Sequence, residues 1–219
     1  VLNGTVTQNI DGNGIFQNLD LNNNSGTAPV SLIANTTING ELTFSRDKLF
    51  NIGTYNLRLN SQATIINAGA LRYIQTAGNA GDGGVTRVYD STSPFTFPLG
   101  APTLIPVRAV KYTPAVIGFT SAPASYGSVT VIPVGYEHPA TTANDQSLTY
   151  FWRVSSSGFS GIAPNSVSHT FTYNQNDVVG TEGNYTPALY TRNDFTWRTG
   201  TNTEPPLNTT TNTITDWSS

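Results

Sequence analysis

The chain has 219 residues, ten basic and thirteen acidic side chains for a net charge of −3, and neither Cys nor Met. Without Cys there is no disulfide framework, thiolate metal site or thiol nucleophile, and without a basic run there is no electrostatic grip on a phosphate backbone, so nucleic acid is not an expected partner. No run of 18 apolar residues occurs, so no membrane-spanning helix is expected.

Hydrophobic residues make up 37% of the chain, including ten Tyr, ten Phe and three Trp. Each buried aromatic ring removes roughly 150–250 Å² from water, enough in sum to build a core despite the many Asn, Thr and Gly residues. Surface polarity carried by Thr, Ser and Asn suits exposure outside the cell. No signal peptide is visible, so an exported protein would carry its targeting segment outside this sequence or would have lost it.

Helical periodicity is hard to find. Short alternating runs are punctuated by Gly, Asn, Pro and Ser, the pattern of sandwiches, barrels and β-solenoids. Residues 1–75 hold compact apolar pieces at Phe16–Leu21, Val30–Ile33, Ile38–Phe44, Tyr55–Leu59 and Ala63–Ile66. The Leu-x-apolar pairs starting at Leu19, Leu42 and Leu57 suggest coils of about 20 residues, each burying its inward side chains against the next. Their uneven spacing leaves a hairpin meander open as the alternative.

Residues 76–94 read as a Gly-rich connection, Ala77 to Gly84, and a strand from Val85 to Tyr89. Residues 95–199 hold eight longer runs: Phe95–Leu99, Thr103–Tyr112, Ala115–Thr120, Ser128–Val134, Leu148–Val154, Ser166–Tyr173, Tyr185–Tyr190 and Phe195–Arg198. Their turn signals predict an antiparallel β-sandwich. Within Tyr150-Phe151-Trp152-Arg153-Val154, alternation puts Tyr150, Trp152 and Val154 on one side, expected to face the core. Residues 200–219 are Thr- and Asn-rich and read as a terminal strand or as a tail that orders against a neighbour. The fold class expected is therefore all-β: N-terminal β-solenoid-like (parallel β-helix) coils followed by an antiparallel β-sandwich.

Gly84-Val85-Thr86-Arg87, then Phe95-Thr96-Phe97-Pro98-Leu99-Gly100 and Ile105-Pro106-Val107, resemble modules of large Bacteroidota cell-surface proteins, the adhesin-like cargo of the type IX secretion system. Ile38–Phe44, Gly53–Leu59 and Gln62–Ile65 are similar to segments that precede that motif, and Tyr150–Val154 to the aromatic strand that follows it. The resemblance covers roughly residues 35–155. It implies a secreted, extracellular or cell-surface location and a structural or adhesive role; the family's C-terminal sorting domain and tandem copies are not in this sequence. Read physically, Phe95-Thr96-Phe97 puts both rings on one face, Pro98 ends the ladder, and Gly100 is expected to make a positive-φ turn.

Chemistry-bearing constellations are few, and no catalytic, cofactor-binding or metal-binding residue is assigned. His138 and His169 lack metal-ligand spacing and read as surface or strand-edge residues. Ser155–Gly161 lacks a nucleophile elbow, although Ser160, His169 and Asp177 could be drawn as a triad. Asp11–Gly14, Asn79–Asp82 and Asn174–Asp177 could offer oxygen ligands to calcium but fit ordinary Asx turns better. Tyr126, Tyr136, Tyr173, Tyr190 and Trp197, near strand ends, are candidates to stack on sugars. The leading expectation is a non-catalytic structural or adhesive module that pairs with itself or neighbouring modules, extending to an extracellular filament; a carbohydrate-binding module taking surface glycans is the alternative.

Overall fold

The computed structural model describes residues 1–102, 111–142, 146–191, 193–199 and 207–215. Residues 103–110 of the expected strand Thr103–Tyr112, with Ile105-Pro106-Val107, lie outside them, as do 200–206 and 216–219 of the C-terminal segment.

The N-terminal part is a stack of parallel coils in which the chain alternates between two sheets. The coils run β1 (Leu2–Gly4) to β2 (Gln8–Ile10), β3 (Ile15–Asn23) to β4 (Val30–Leu32), and β5 (Thr36–Phe44) to β6 (Phe50–Gly53). The next coil divides its first side between β7 (Asn56–Leu59) and β8 (Thr64–Ile66) before β9 (Ile74–Thr76); the last comprises β10 (Gly84–Val88), β11 (Phe95–Phe97) and β12 (Leu99–Ala101). The first sheet runs β1-β3-β5-β7-β10, and the second β2-β4-β6-β9-β12, all in parallel.

In-register stacking puts like side chains above one another. Val30, Phe50, Ile74 and Leu99 form one inward column; Leu19, Leu42 and Ile65 form another. Every member of the first column is essentially inaccessible to water. The meander alternative is thereby excluded, since hairpins would give antiparallel ladders.

The stack does not stop at residue 75. Beyond the Gly-rich segment, β10 lies parallel on β7, with Val85 over Leu57. Here the glycines matter because backbones meet: a Cβ at Gly83 would sit 2.5 Å from the Asn56 nitrogen, and Gly84 has φ +64° with Ile132 Cγ1 2.5 Å from where its Cβ would be.

The antiparallel part grows from the coils. β15 (Ser128–Val134) pairs antiparallel with β10, and β16 (Phe151–Ser157) pairs with β15, so the first sheet ends at β16. β13 (Lys111–Tyr112) extends the second sheet from β12. A third sheet is built from β11, β14 (Ala115–Phe119), β17 (Val167–Thr172), β21 (Thr213–Thr215) and β20 (Leu207–Asn208), while β18 (Ala188–Thr191) and β19 (Thr196–Thr199) form a separate hairpin. The described part of the Thr-rich segment is thus an edge hairpin, β20–β21, on the third sheet. Tyr89 ties the sheets together: its hydroxyl donates to the Ile117 carbonyl, and its ring meets Phe119 edge-on at 5.3 Å.

The facing of β16 holds for half its length. Tyr150 and Trp152 turn inward, with Trp152 against Phe171 at 5.1 Å and its indole N–H on the Thr113 carbonyl. Val154, expected on the same core face, is instead 43% exposed, and the rest of the strand beyond it is exposed too.

Candidate functional site

Three features stand out: the open ends of the coil sheets, the motif around Arg87, and an aromatic cluster around His138.

At the first coil, among the described residues, β1 pairs only with β3 and β2 only with β4. Gly4 gives its carbonyl to the Asn24 N–H, and the Ile10 carbonyl accepts from Ile33 while the Gln8 N–H donates to the Pro29 carbonyl. Since alternate residues of a parallel strand bond to the same neighbour, Asn3 and Asn9 aim their main-chain groups away from the stack. Val1, Val6 and Ile15, on the first two coils, are all about 70% exposed or more. The buried Asn23 side chain organises this end by donating to the Val6 carbonyl and the Gln8 Oε1 and accepting from the Ser25 N–H. At the opposite end of the same sheet, β16 has a partner on one side only among the described residues. Within those residues both ends carry unpaired strand edges, which are templates for another strand.

The motif shared by residues 84–100 has a mechanical explanation. The Arg87 guanidinium donates to the carbonyls of Asn60, Ser61 and Ala63, the turn that splits one coil into β7 and β8. Its Cζ lies 4.5 Å from the centre of the Phe95 ring, which meets Phe97 edge-on at 5.1 Å. Burial works against the charge and lowers the Arg87 pKa; the three carbonyls and the ring face compensate. Pro98 is the corner at which the chain leaves the third sheet for the second. The expectation for Gly100 is corrected: its φ is not positive, and glycine is needed because a Cβ would lie 2.2 Å from the Lys111 carbonyl oxygen and 2.3 Å from the Tyr73 ring.

Three of the five sugar-stacking candidates converge. The His138 ring lies 4.5 Å from Tyr190, 4.8 Å from Trp197 and 4.7 Å from Phe151; Tyr136 meets Phe151 at 5.9 Å. The Trp197 indole N–H donates to the Ala140 carbonyl, and Trp197 is 40% exposed. Burial lowers the His138 pKa. The hairpin carrying Tyr190 and Trp197 is braced by Asp194, whose carboxyl is held far below its ordinary range by the Thr191 hydroxyl and then by Arg198. Tyr126 instead packs near Phe119, and Tyr173 is buried with its hydroxyl on Glu182. His138, read from sequence as an edge residue, is the centre of this cluster. No spacing rule links position 138 to 190 and 197, because a folded-back hairpin brings them together.

The remaining candidates are engaged elsewhere. The Ser160 hydroxyl pairs with Ser125, Asp177 with Lys111 and Thr149, and the His169 ring packs on Phe171 at 5.5 Å. In the three acidic loops Asp11 accepts from the Gly12 N–H, Asp82 from the Asn79 N–H and Asn174 from the Asn176 N–H, and the last alone of these has the two-residue span of an Asx turn.

No protein-family model matches the chain, and neither a curated protein nor a solved structure does.

Proposed function

We propose that the chain is a structural, adhesive module of a secreted bacterial cell-surface protein, and that copies join head to tail into an extracellular filament. The observation that carries this reading is that, among the described residues, one sheet has a free strand edge at each end, β1 on one side and β16 on the other. Laying β1 of one copy along β16 of the next continues that sheet from molecule to molecule. Such a contact is heterologous, and where its rotation does not close into a ring it generates a fibre. The exposed Val1, Val6 and Ile15 near the β1 end would gain from burial. The surface location also rests on the resemblance of residues 84–100 to type IX cargo, with Arg87 and Phe95 forming a rigid corner.

Sedimentation across a concentration series tests it. The native chain is expected to form growing oligomers, and the double variant Asn3→Pro/Asn9→Pro to remain monomeric while keeping its circular-dichroism spectrum, because both prolines remove only outward N–H groups. A native chain that stays monomeric at every concentration contradicts the proposal.

A second reading, a carbohydrate-binding module, is favoured by the convergence of Tyr136, Tyr190 and Trp197. It expects hits on a glycan array that vanish with Trp197→Ala; an array without hits removes it.

A further inference from the structure

Lys111 and Asp177 stand 66 residues apart, in different parts of the fold. Lys111 opens β13, which pairs with the last coil strand, β12; Asp177 closes a single 3-10 turn (Gln175–Asp177) after β17 of the third sheet. Their side chains meet, Nζ on Oδ1, and the Thr149 hydroxyl donates to the same Oδ1 at 3.2 Å. The Asp177 side chain is wholly buried and that of Lys111 only 11% exposed. Oδ2 of Asp177 is buried with no hydrogen-bond partner among the described residues. As an ion pair this is a poor arrangement, because two charges are taken out of water while half the carboxylate remains unsatisfied.

We propose that Lys111 and Asp177 are joined by an isopeptide bond. Lys111 Nζ bonds to Asp177 Cγ and the Cγ–Oδ2 bond breaks. Of the three ammonium hydrogens, one stays on the amide nitrogen and two leave with Oδ2 as water. The positive and negative charges vanish together, so atoms and charge balance with no further reactant. Oδ1 remains as the amide carbonyl, still under the Thr149 hydroxyl that polarises it during attack. The unpartnered oxygen is the one that departs. Beside the amine lies a recess of about 10 Å³, bordered by Ala101, Thr113 and Tyr150, close to the space one water needs; the buried Thr113 hydroxyl, which has no partner among the described residues, faces the same region. The fold holds amine and acid in contact, and such proximity replaces the collision step of an ordinary condensation. In a chain without Cys, the bond would lock the last coil to the third sheet as a disulfide would, by restricting the unfolded chain.

Intact-mass spectrometry of the denatured full chain tests this. The expected mass is one water below that of the sequence, and a digest should yield a branched peptide containing Lys111 and Asp177. Lys111→Arg, which keeps the ion pair, should return the full sequence mass. Asp177→Asn, losing ammonia instead of water, should reach the same product mass as the native chain. A native chain at full sequence mass, or a water loss mapped to any other residue, overturns the proposal; both are read on the native chain, so they stand even if a variant fails to fold.

Discussion

The coil stack and the antiparallel part solve the same problem differently. In the coils each inward residue sits above its counterpart from the previous turn, and large side chains such as Phe44, Phe50, Ile74 and Leu99 are essentially sealed from water. In the antiparallel part β14 and β15 join that core, whereas β16 and β17 are half-buried at best and β19 is exposed throughout. On these outer strands, cohesion comes from discrete contacts: Trp152 on Phe171 and the rings around His138. Repetition spreads stability over many equivalent contacts, whereas the outer antiparallel strands concentrate it in a few identifiable ones.

That contrast is breakable by substitution. The largest effect is expected for Phe50→Ala, which opens a cavity in the sealed column and should cost about 3–5 kcal/mol by chemical denaturation; a cost near zero would mean that the column is not the core. Next comes Arg87→Ala, which strips donors from three carbonyls and removes a ring contact, at about 2–4 kcal/mol. Arg87→Lys should recover only a minor share, since an ammonium cannot match the guanidinium fork. A smaller, local loss of about 1 kcal/mol is expected for Trp197→Ala, read as faster proteolysis within residues 188–199 with an unchanged global midpoint.

Smallest is a pH effect on the same hairpin. Burial holds the folded-state pKa of His138 below its ordinary value of 6.5. Protons therefore bind more readily to the undocked form, so hairpin docking is fully present above pH 6.5 and weakens as pH falls below it. In a variant whose only tryptophan is Trp197, the emission should shift to the red on acidification, and His138→Phe should flatten that response.

Sequence alone carried much of this fold, and particular residues show where it stopped. Leu19 and Leu42 are true register partners, 23 residues apart, and the next step of 23 leads to Ile65. Leu57, which matched the pattern, stacks instead on Thr36 in a neighbouring column; a split coil cannot be told from a short one by spacing. The run from Ala77 to Gly84 reads as a break because glycine signals a loop, yet Gly83 is crowded by the backbone of the previous coil and Gly84 by β15, neither leaving room for a Cβ. Gly100 is crowded in its turn by the Lys111 carbonyl and the Tyr73 ring. The ring cluster at His138 and the Lys111–Asp177 contact join residues distant in sequence, so local patterning holds no trace of either.

The head-to-tail reading requires that the outer edge of β1 acquire a strand partner on assembly, and hydrogen exchange resolved at the Asn3 amide addresses that directly. This amide is expected to exchange freely in dilute solution and to become protected as particles grow. Growth with the Asn3 amide still exchanging freely would place the contact elsewhere and contradict strand addition at β1.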